Sequence, residues 1–259
     1  MDKEKNSEIS VVILTCNNQD TIKNCLESAS WAGEIVIVDS FSSDKTLEIA
    51  RQYTDKIWQR QWPGFFQQWN FAIAQATREW VFVLASDEYI SPELKKEIEG
   101  AISEKSEIAG YFLPRKTYFL NKWIRYCGWY PDYGVRLFKK GMGKFDNRKV
   151  HESMVLTGTA RRFKNPIIHY SYSTISDYIV RMNMYTSLTA EQMADDGVKL
   201  DMKNIKKIAV KKSIKTFWKM YVRQRGFLDG MHGFILCVLS AVYKLMAYAK
   251  YSEKLVKNE

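Results

Sequence analysis

Glycine is missing where a dinucleotide-binding chain would need it. From Thr15 to Leu26, the stretch after the first strongly apolar run, no glycine occurs. The backbone therefore cannot make the tight turn that lays a pyrophosphate against a helix N-terminus. No GxxxxGK followed by Ser or Thr occurs either, which excludes a P-loop. The four cysteines, Cys16, Cys25, Cys127 and Cys237, show no paired spacing and no CxxC, so they read as reduced thiols of a cytoplasmic protein. The opening Met1-Asp2-Lys3-Glu4-Lys5-Asn6 lacks an apolar signal region, and nothing is expected to send the chain across a membrane. There is no internal repeat, low-complexity tract or Pro-rich linker, which argues against independent mobile domains.

What is present is a set of apolar runs that each end in polar residues. Ile9 to Thr15 breaks into Cys16-Asn17-Asn18-Gln19-Asp20, and Glu34 to Val38 ends in Asp39-Ser40-Phe41-Ser42-Ser43-Asp44. A third run, Trp80 to Leu84, ends in Ala85-Ser86-Asp87-Glu88. β-Branched runs of this length between helical segments read as buried parallel strands. Ligands of such sheets sit beyond the carboxyl ends of the strands, where these polar residues fall. With glycine-rich phosphate turns excluded, a diphosphate would be neutralised by a carboxylate-held cation. Asp87 and Glu88 stand where such an ion would be held; capping a helix that starts near Ser91-Pro92-Glu93 is the alternative, and Asp39 and Asn17 in register favour the ion. The pattern points to a nucleotide and a metal.

Several segments in order resemble the inverting family 2 glycosyltransferases of GT-A fold. They are Val11 to Asn17, Val36 to Thr46, Asn70-Phe71-Ala72 and Trp80 to Glu88. Cys127 to Asp132, Arg136-Leu137-Phe138, Val150-His151-Glu152, Ile168-His169-Tyr170 and Phe227 to Gly230 are similar to the branch with lipopolysaccharide-core glucosyltransferases. The resemblance spans residues 9 to 250. It implies that Thr15, Asn17 and Asp39 hold the nucleoside of a UDP-sugar, with Asp39 accepting from the uracil ring and Asn70 supporting the pocket. It implies Mg²⁺ or Mn²⁺ on Asp87, bound against the diphosphate. Two departures stand out: Ala85 replaces the first acid of the usual DxD pattern, and Trp69 stands where a basic residue often precedes the asparagine.

A base must deprotonate the acceptor hydroxyl. Asp132, after Trp129-Tyr130-Pro131, and Glu152, after His151, are the two candidates, and Asp132 is narrowly preferred. Pro-Asp is also ordinary turn chemistry. Arg136 could position an acceptor phosphate or the donor diphosphate, and Arg225 the diphosphate, though structural ion pairing would explain both. His169 could complete the metal site from another strand, or be a hydrogen-bonded core residue.

The formal net charge is +10. Lys203, Lys207, Lys211, Lys215, Lys219 and Arg223 recur every fourth residue, interleaved with Ile205, Ile208, Ile214, Phe217, Trp218, Tyr221 and Val222, and no acid occurs between Asp201 and Asp229. A basic, aromatic helix of this kind suits an anionic membrane surface, and an ordinary packed surface helix is the alternative. The apolar stretch from Gly233 to Tyr243 is shorter than the roughly 20 residues of a spanning helix and is followed by Lys244, so it is expected to be interfacial or packed. No nucleic-acid-binding module is recognisable.

The expected architecture is α/β: a GT-A domain, a Rossmann-like mixed sheet flanked by helices, over residues 1–174. Within it a nucleotide half covers about 9–107 and an acceptor half about 108–174. A C-terminal helical extension over 175–259 follows. Strands are expected near 9–15, 34–39, 56–59 and 80–85, and helices near 19–30, 44–53, 65–77 and 91–103. The expected activity is inverting transfer of a sugar, with UDP-glucose the leading donor, to a glycolipid or lipopolysaccharide-core acceptor at the inner face of the cytoplasmic membrane. Alternatives are a capsule or exopolysaccharide transferase using another sugar, or a catalytically silent binding protein, the latter suggested by Ala85.

Overall fold

The computed structural model describes residues 6–104, 106–148, 153–198 and 202–257. The chain forms two compact units. The first comprises Met1–Arg115, Asp132–Asn147 and Glu152–His169, and the second Lys116–Pro131, Arg148–His151 and Tyr170–Glu259. The division differs from a single boundary at residue 174, because Lys116–Pro131 groups with the C-terminal helices.

In the first unit, β1 (Asn6–Thr15), β2 (Ala32–Asp39), β3 (Ile57–Gln59) and β4 (Trp80–Ala85) are the parallel strands the apolar runs predict. They alternate with α1 (Ile22–Ala29), α2 (Thr46–Ala50) and α3 (Phe65–Gln75). Next come β5 (Glu88–Ile90), α4 (Pro92–Ser103), β6 (Ile108–Phe119) and β8 (Asp132–Lys139), while β7 (Lys122–Trp123) falls in the second unit. The short strands β9 (Gly143–Phe145), β10 (Met154–Leu156), β11 (Thr159–Arg162) and β12 (Ile167–Tyr172) complete the set. The main sheet runs β3-β2-β1-β4-β8-β6-β12-β5. β8 is antiparallel to both β4 and β6, so the sheet is mixed. Chain order reverses between β1, whose other neighbour is β2, and β4. That reversal opens a crevice at the carboxyl ends of the two strands.

Period-2 alternation explains why both faces are covered. Val11 and Ile13 of β1, Ile35 and Ile37 of β2, and Phe82 and Leu84 of β4 pack with Ile22 and Leu26 of α1 and Leu94, Ile98 and Ile102 of α4. The intervening Val12, Val36, Val38, Val81 and Val83 pack with Trp69, Ala72 and Ile73 of α3. Each such side chain contributes about 1.5–3 kcal/mol on burial. α4 starts where its sequence says it should: Ser91 Oγ accepts from the Leu94 N–H at 3.2 Å and Pro92 fills the first turn.

At the other end of the strands the buried Glu34 ties three elements together. Its carboxylate accepts from Ser10 Oγ of β1 and Lys56 Nζ before β3. It also accepts from the Thr77 N–H and Oγ1 before β4, both at 2.7 Å. Burial pushes its pKa up, but the hydrogen bonds from Lys56, Ser10 and Thr77 outweigh this and bring it to about 2, from an ordinary 4.5. A depressed carboxylate stabilises the fold above its unfolded pKa and loses that contribution as pH falls through the folded one. The Glu34 network should therefore supply about 3 kcal/mol at neutral pH, more than half of it gone by pH 3. Urea denaturation at pH 7 and pH 3 checks this: Glu34→Gln should lag wild type markedly at pH 7 and much less at pH 3. An equal deficit at both values would contradict it.

The second unit contains α5 (Ile175–Asp195), α6 (Met202–Trp218), a π-helical turn (Lys219–Arg223), a 3₁₀ turn (Gly226–Asp229) and α7 (Gly230–Lys257). Thr174 and Asp177 form a reciprocal capping box at the start of α5. Phe119, Ile124, Cys127, Tyr178, Leu236 and Cys237 make the core. Asp229, almost wholly buried, accepts from the Arg125 N–H at 3.2 Å and the Tyr126 N–H at 2.9 Å, fixing the aromatic loop onto the turn. The C-terminal apolar segment is longer than expected. α7 runs 28 residues, continues through Lys244, and lies in a stretch, Gly226–Val256, long and apolar enough to cross a membrane by length and composition. Its flanks are nevertheless packed on neighbouring helices. Tyr243 Oη lies 2.6 Å from Thr189 Oγ1 of α5, and the Phe234 ring meets Phe217 of α6 edge-on at 6.3 Å.

Candidate active site

The strand register sets the floor of the site. Thr15 is level with Asp39 and Asp39 with Gln59, while Leu14 is level with Ala85 across the β1–β4 crevice. Three polar strand ends, Thr15, Asp39 and Gln59, therefore open at one edge of the sheet beside the end of β4 at Ala85. Asp39 is fully buried, and its carboxylate accepts from the Ser42 N–H at 2.9 Å, Ser42 Oγ at 2.5 Å and Gln59 Nε2 at 3.0 Å. A carboxylate offers about four acceptor sites, so one remains.

The loops after β1 and β2 are laced together. Asn17 adopts a left-handed conformation (φ +53°), which asparagine tolerates better than most residues. Its Oδ1 accepts from the Ser43 N–H at 2.8 Å and its own N–H donates to Ser42 Oγ at 2.8 Å. Asn18 does more. Its Oδ1 accepts from Thr15 Oγ1 (3.2 Å), the Cys16 N–H (3.0 Å) and Ser86 Oγ (2.9 Å), so one oxygen spans the crevice from β1 to the turn after β4. The exposed Cys16 thiol is pushed up by desolvation and then by Asp39 and Asp44.

On the other side of the crevice Asp87 and His169 converge. Asp87 Oδ2 lies 3.5 Å from His169 Nε2, and each side chain is 12% exposed. His169 comes from β12, level with Glu88 of β5. Glu88 points elsewhere. Its buried carboxylate accepts from the Ala85 N–H at 3.0 Å and Arg136 Nη2 at 3.1 Å, with Arg115 Nη1 at 3.9 Å. Arg115 Nη2 in turn pairs with Asp132 at 2.5 Å, the two being level across β6 and β8. Three carboxylates, Asp87, Glu88 and Asp132, thus share the field of two guanidiniums, with Glu88 and Asp132 in ion pairs with them and Asp87 3.5 Å from His169. The buried Cys25 thiol, which donates to the Ala85 carbonyl at 3.4 Å, is pushed up by burial and by Glu88 and Asp87.

This placement corrects some expectations. Glu88 does not pair with Asp87 as a metal ligand, because Arg136, Arg115 and a backbone amide hold its carboxylate inside. Arg136 is the counter-charge to Glu88, the structural role that was its alternative reading. Asn70 donates to the Phe145 carbonyl at 3.0 Å and accepts its N–H at 2.8 Å, so it fastens α3 to β9. Trp69, the departure beside it, is a core residue whose ring stacks on Phe145 at 5.6 Å. Arg225 lies in the second unit, in a left-handed turn (φ +55°). His151 and Glu152 lie outside the described residues.

Reasoning from sequence missed Asn18 and Arg115. Asn18 sat in view beside Asn17, and only hydrogen-bond geometry tells the two apart. Arg115 gives no local signal, since its meaning depends on the β6–β8 register.

The matches to known proteins agree with this geometry. The family model described as glycosyl transferase family 2 matches residues 10–175, well over half of the chain. The chain belongs to glycosyl transferase family 2. Over 95% of its length it is 28% identical to the lipopolysaccharide core biosynthesis glycosyltransferase LpsC of Rhizobium meliloti (strain 1021), covering 92% of that protein. It is 25% identical to an uncharacterized glycosyltransferase of Rickettsia felis, over 97% of this chain and 92% of the other. Among solved structures, the mannosyltransferase PcManGT of Pyrobaculum calidifontis, in complex with GDP-Man and Mn²⁺, superposes with a TM-score of 0.53 over 94% of this chain and 86% of its own, at 12% identity. The fold of this family 2 transferase is GT-A.

Among the described residues no three His, Cys, Asp or Glu side chains converge on one point. Asp87 and His169 fit a divalent cation that takes its remaining ligands from phosphate oxygens and water, the usual arrangement for Mg²⁺ at nucleotide sites.

Asn18 offers a test of the loop lattice. Asn18→Ala leaves the Thr15 and Ser86 hydroxyls and the Cys16 N–H without their acceptor, and stability should fall by about 1–3 kcal/mol. Asn18→Asp keeps an acceptor and should recover most of it. Thermal melts of the three proteins decide; an Asn18→Asp variant as unstable as Asn18→Ala would remove the acceptor argument.

Proposed function

We propose that this transferase moves a hexose, with UDP-glucose the leading donor, onto a hydroxyl of a lipopolysaccharide-core or other lipid-linked glycan. It would act with inversion at the inner face of the cytoplasmic membrane. The observation that carries the reading is the Asp87–His169 pair, set beside a crevice whose other wall holds Thr15 and the Asp39 carboxylate. The similarity to LpsC over most of both chains supports the acceptor class.

The chain's own residues suit such a reaction. The remaining acceptor site of Asp39 takes a ring N–H of the base, a charge-assisted bond. Thr15 and Asn17 line the same mouth. A Mg²⁺ or Mn²⁺ on Asp87 and His169 would neutralise charge on the leaving diphosphate. Asp132, 49% exposed on its side chain and steered by Arg115, takes the proton of the acceptor hydroxyl. That oxygen then bonds to the anomeric carbon as the bond to the diphosphate oxygen breaks, with no sugar–enzyme intermediate. Ala85 favours a second reading, a silent binding module, since a carboxylate is missing at the crevice.

The experiment is transfer of labelled sugar from a panel of UDP-sugars to core-truncated lipopolysaccharide with Mn²⁺ or Mg²⁺. Incorporation from one donor is expected. Donor binding with neither transfer nor hydrolysis would favour the binding module. Asp132→Asn should lower turnover by about 10² or more with donor affinity little changed. If Glu152→Gln is the inactive variant and Asp132→Asn stays active, the base is Glu152.

A further inference from the structure

The second unit carries an apolar corner that its own fold leaves uncovered. The end of α6, the π-helical turn, the 3₁₀ turn and the start of α7 bring four rings together. Tyr221 lies 5.2 Å from Phe217, 6.2 Å from Phe227 and 5.9 Å from Phe234. Phe227 and Phe234 are nevertheless nearly half exposed, and beside them Trp218, Leu228 and Met231 are 59%, 50% and 67% exposed. In one soluble unit such a contiguous patch marks an interaction site rather than scatter.

Its chemistry selects the partner. No acid lies between Asp201 and Asp229, and Asp229 itself is buried against the Arg125 and Tyr126 amides. Every ionised side chain of that stretch whose surroundings are described is therefore positive; the Lys203 side chain lies outside that description. Lys212 and Lys219 lie within electrostatic reach of Lys244. Lys244 of α7 is partly sunk between the helices, and burial, then Lys212 of α6 and Lys219 of the π-helical turn, disfavours its charge. Like charges gathered beside an apolar corner, with no acid of that stretch among them, match a phosphate-bearing surface. Aromatic rings next to lysines are also the composition of the bilayer interface, where rings sit at the headgroup level.

We propose that this corner is a bilayer docking wedge. Trp218, Phe227, Leu228 and Met231 enter the interface of an anionic leaflet, and Lys212, Lys219 and Lys244 receive lipid phosphates. The inference rests on the proposed membrane-borne acceptor only for its purpose, not for its support. It also assigns α7 an interfacial position, with Lys244 kept at headgroup depth.

Co-sedimentation of the full chain with vesicles of phosphatidylglycerol and phosphatidylcholine, against pure phosphatidylcholine, tests it. Each lysine near the surface is worth about fivefold in binding, so Lys212→Gln, Lys219→Gln and Lys244→Gln together should weaken binding to the anionic vesicles by about a hundredfold and flatten its salt dependence. Trp218→Ser with Phe227→Ser and Met231→Ser should instead remove the part of binding that salt does not release. UDP-induced thermal stabilisation, read on the same proteins, reports folding and the donor site separately, and should be unchanged in both variants. Wild-type protein that ignores anionic vesicles, or variants that bind them as wild type does, would overturn the proposal. So would inorganic phosphate competing at millimolar concentration as fully as vesicles, since the lysines would then serve a soluble anion.

Discussion

A carboxylate removed from water must be surrounded by donors, and Glu88 is the one on which the acidic half of the site depends. An unpaired charge there would cost several kcal/mol. The fold answers with the Ala85 amide and two guanidiniums drawn from different strands, Arg136 of β8 and Arg115 of β6. Because Arg115 also reaches Asp132, the same buried charge orients the candidate base. Because the β4–β5 turn is pinned through Ala85, its neighbour Asp87 is left directed at His169. One buried acid thus sits between Asp87, turned to His169, and Asp132, turned to Arg115.

Ala85 has a further consequence. The usual first acid of the pattern would place another negative charge beside Glu88 and Asp87, in a region where the three carboxylates already face only two arginines. Its absence lowers the like-charge repulsion that a diphosphate would meet. It also makes the cation more dependent on the phosphates for its ligands.

β1, β2 and β4 were legible because each is an apolar run buried on both faces, and β4 covers its run from Trp80 to Leu84 and ends one residue later at Ala85. The placement of Asp39 and Asp87 at the carboxyl ends of β2 and β4 was legible because each closes or follows an apolar run. Asn18, Arg115 and the role of Glu88 were not. Their meaning comes from register between strands far apart in sequence, and a lone arginine in Pro114-Arg115-Lys116 carries no sign of it. Trp69 and Asn70 misled in the opposite direction: they stand at a motif position, yet both are taken up by Phe145. Lys244 interrupts the apolar run in the sequence but not α7, because a lysine with a long apolar stem is accommodated between packed helices.

The central claim is that the donor's cation rests on Asp87 and His169, with Glu88 serving the fold. Calorimetric titration of UDP into the full chain, with Mn²⁺ and with chelator, measures this most directly. The account predicts that Mn²⁺ strengthens UDP binding in the wild type and that the enhancement is lost in both Asp87→Asn and His169→Ala, while the metal-free affinity is kept. A metal enhancement that survives in either variant would contradict it and place the ion on other residues.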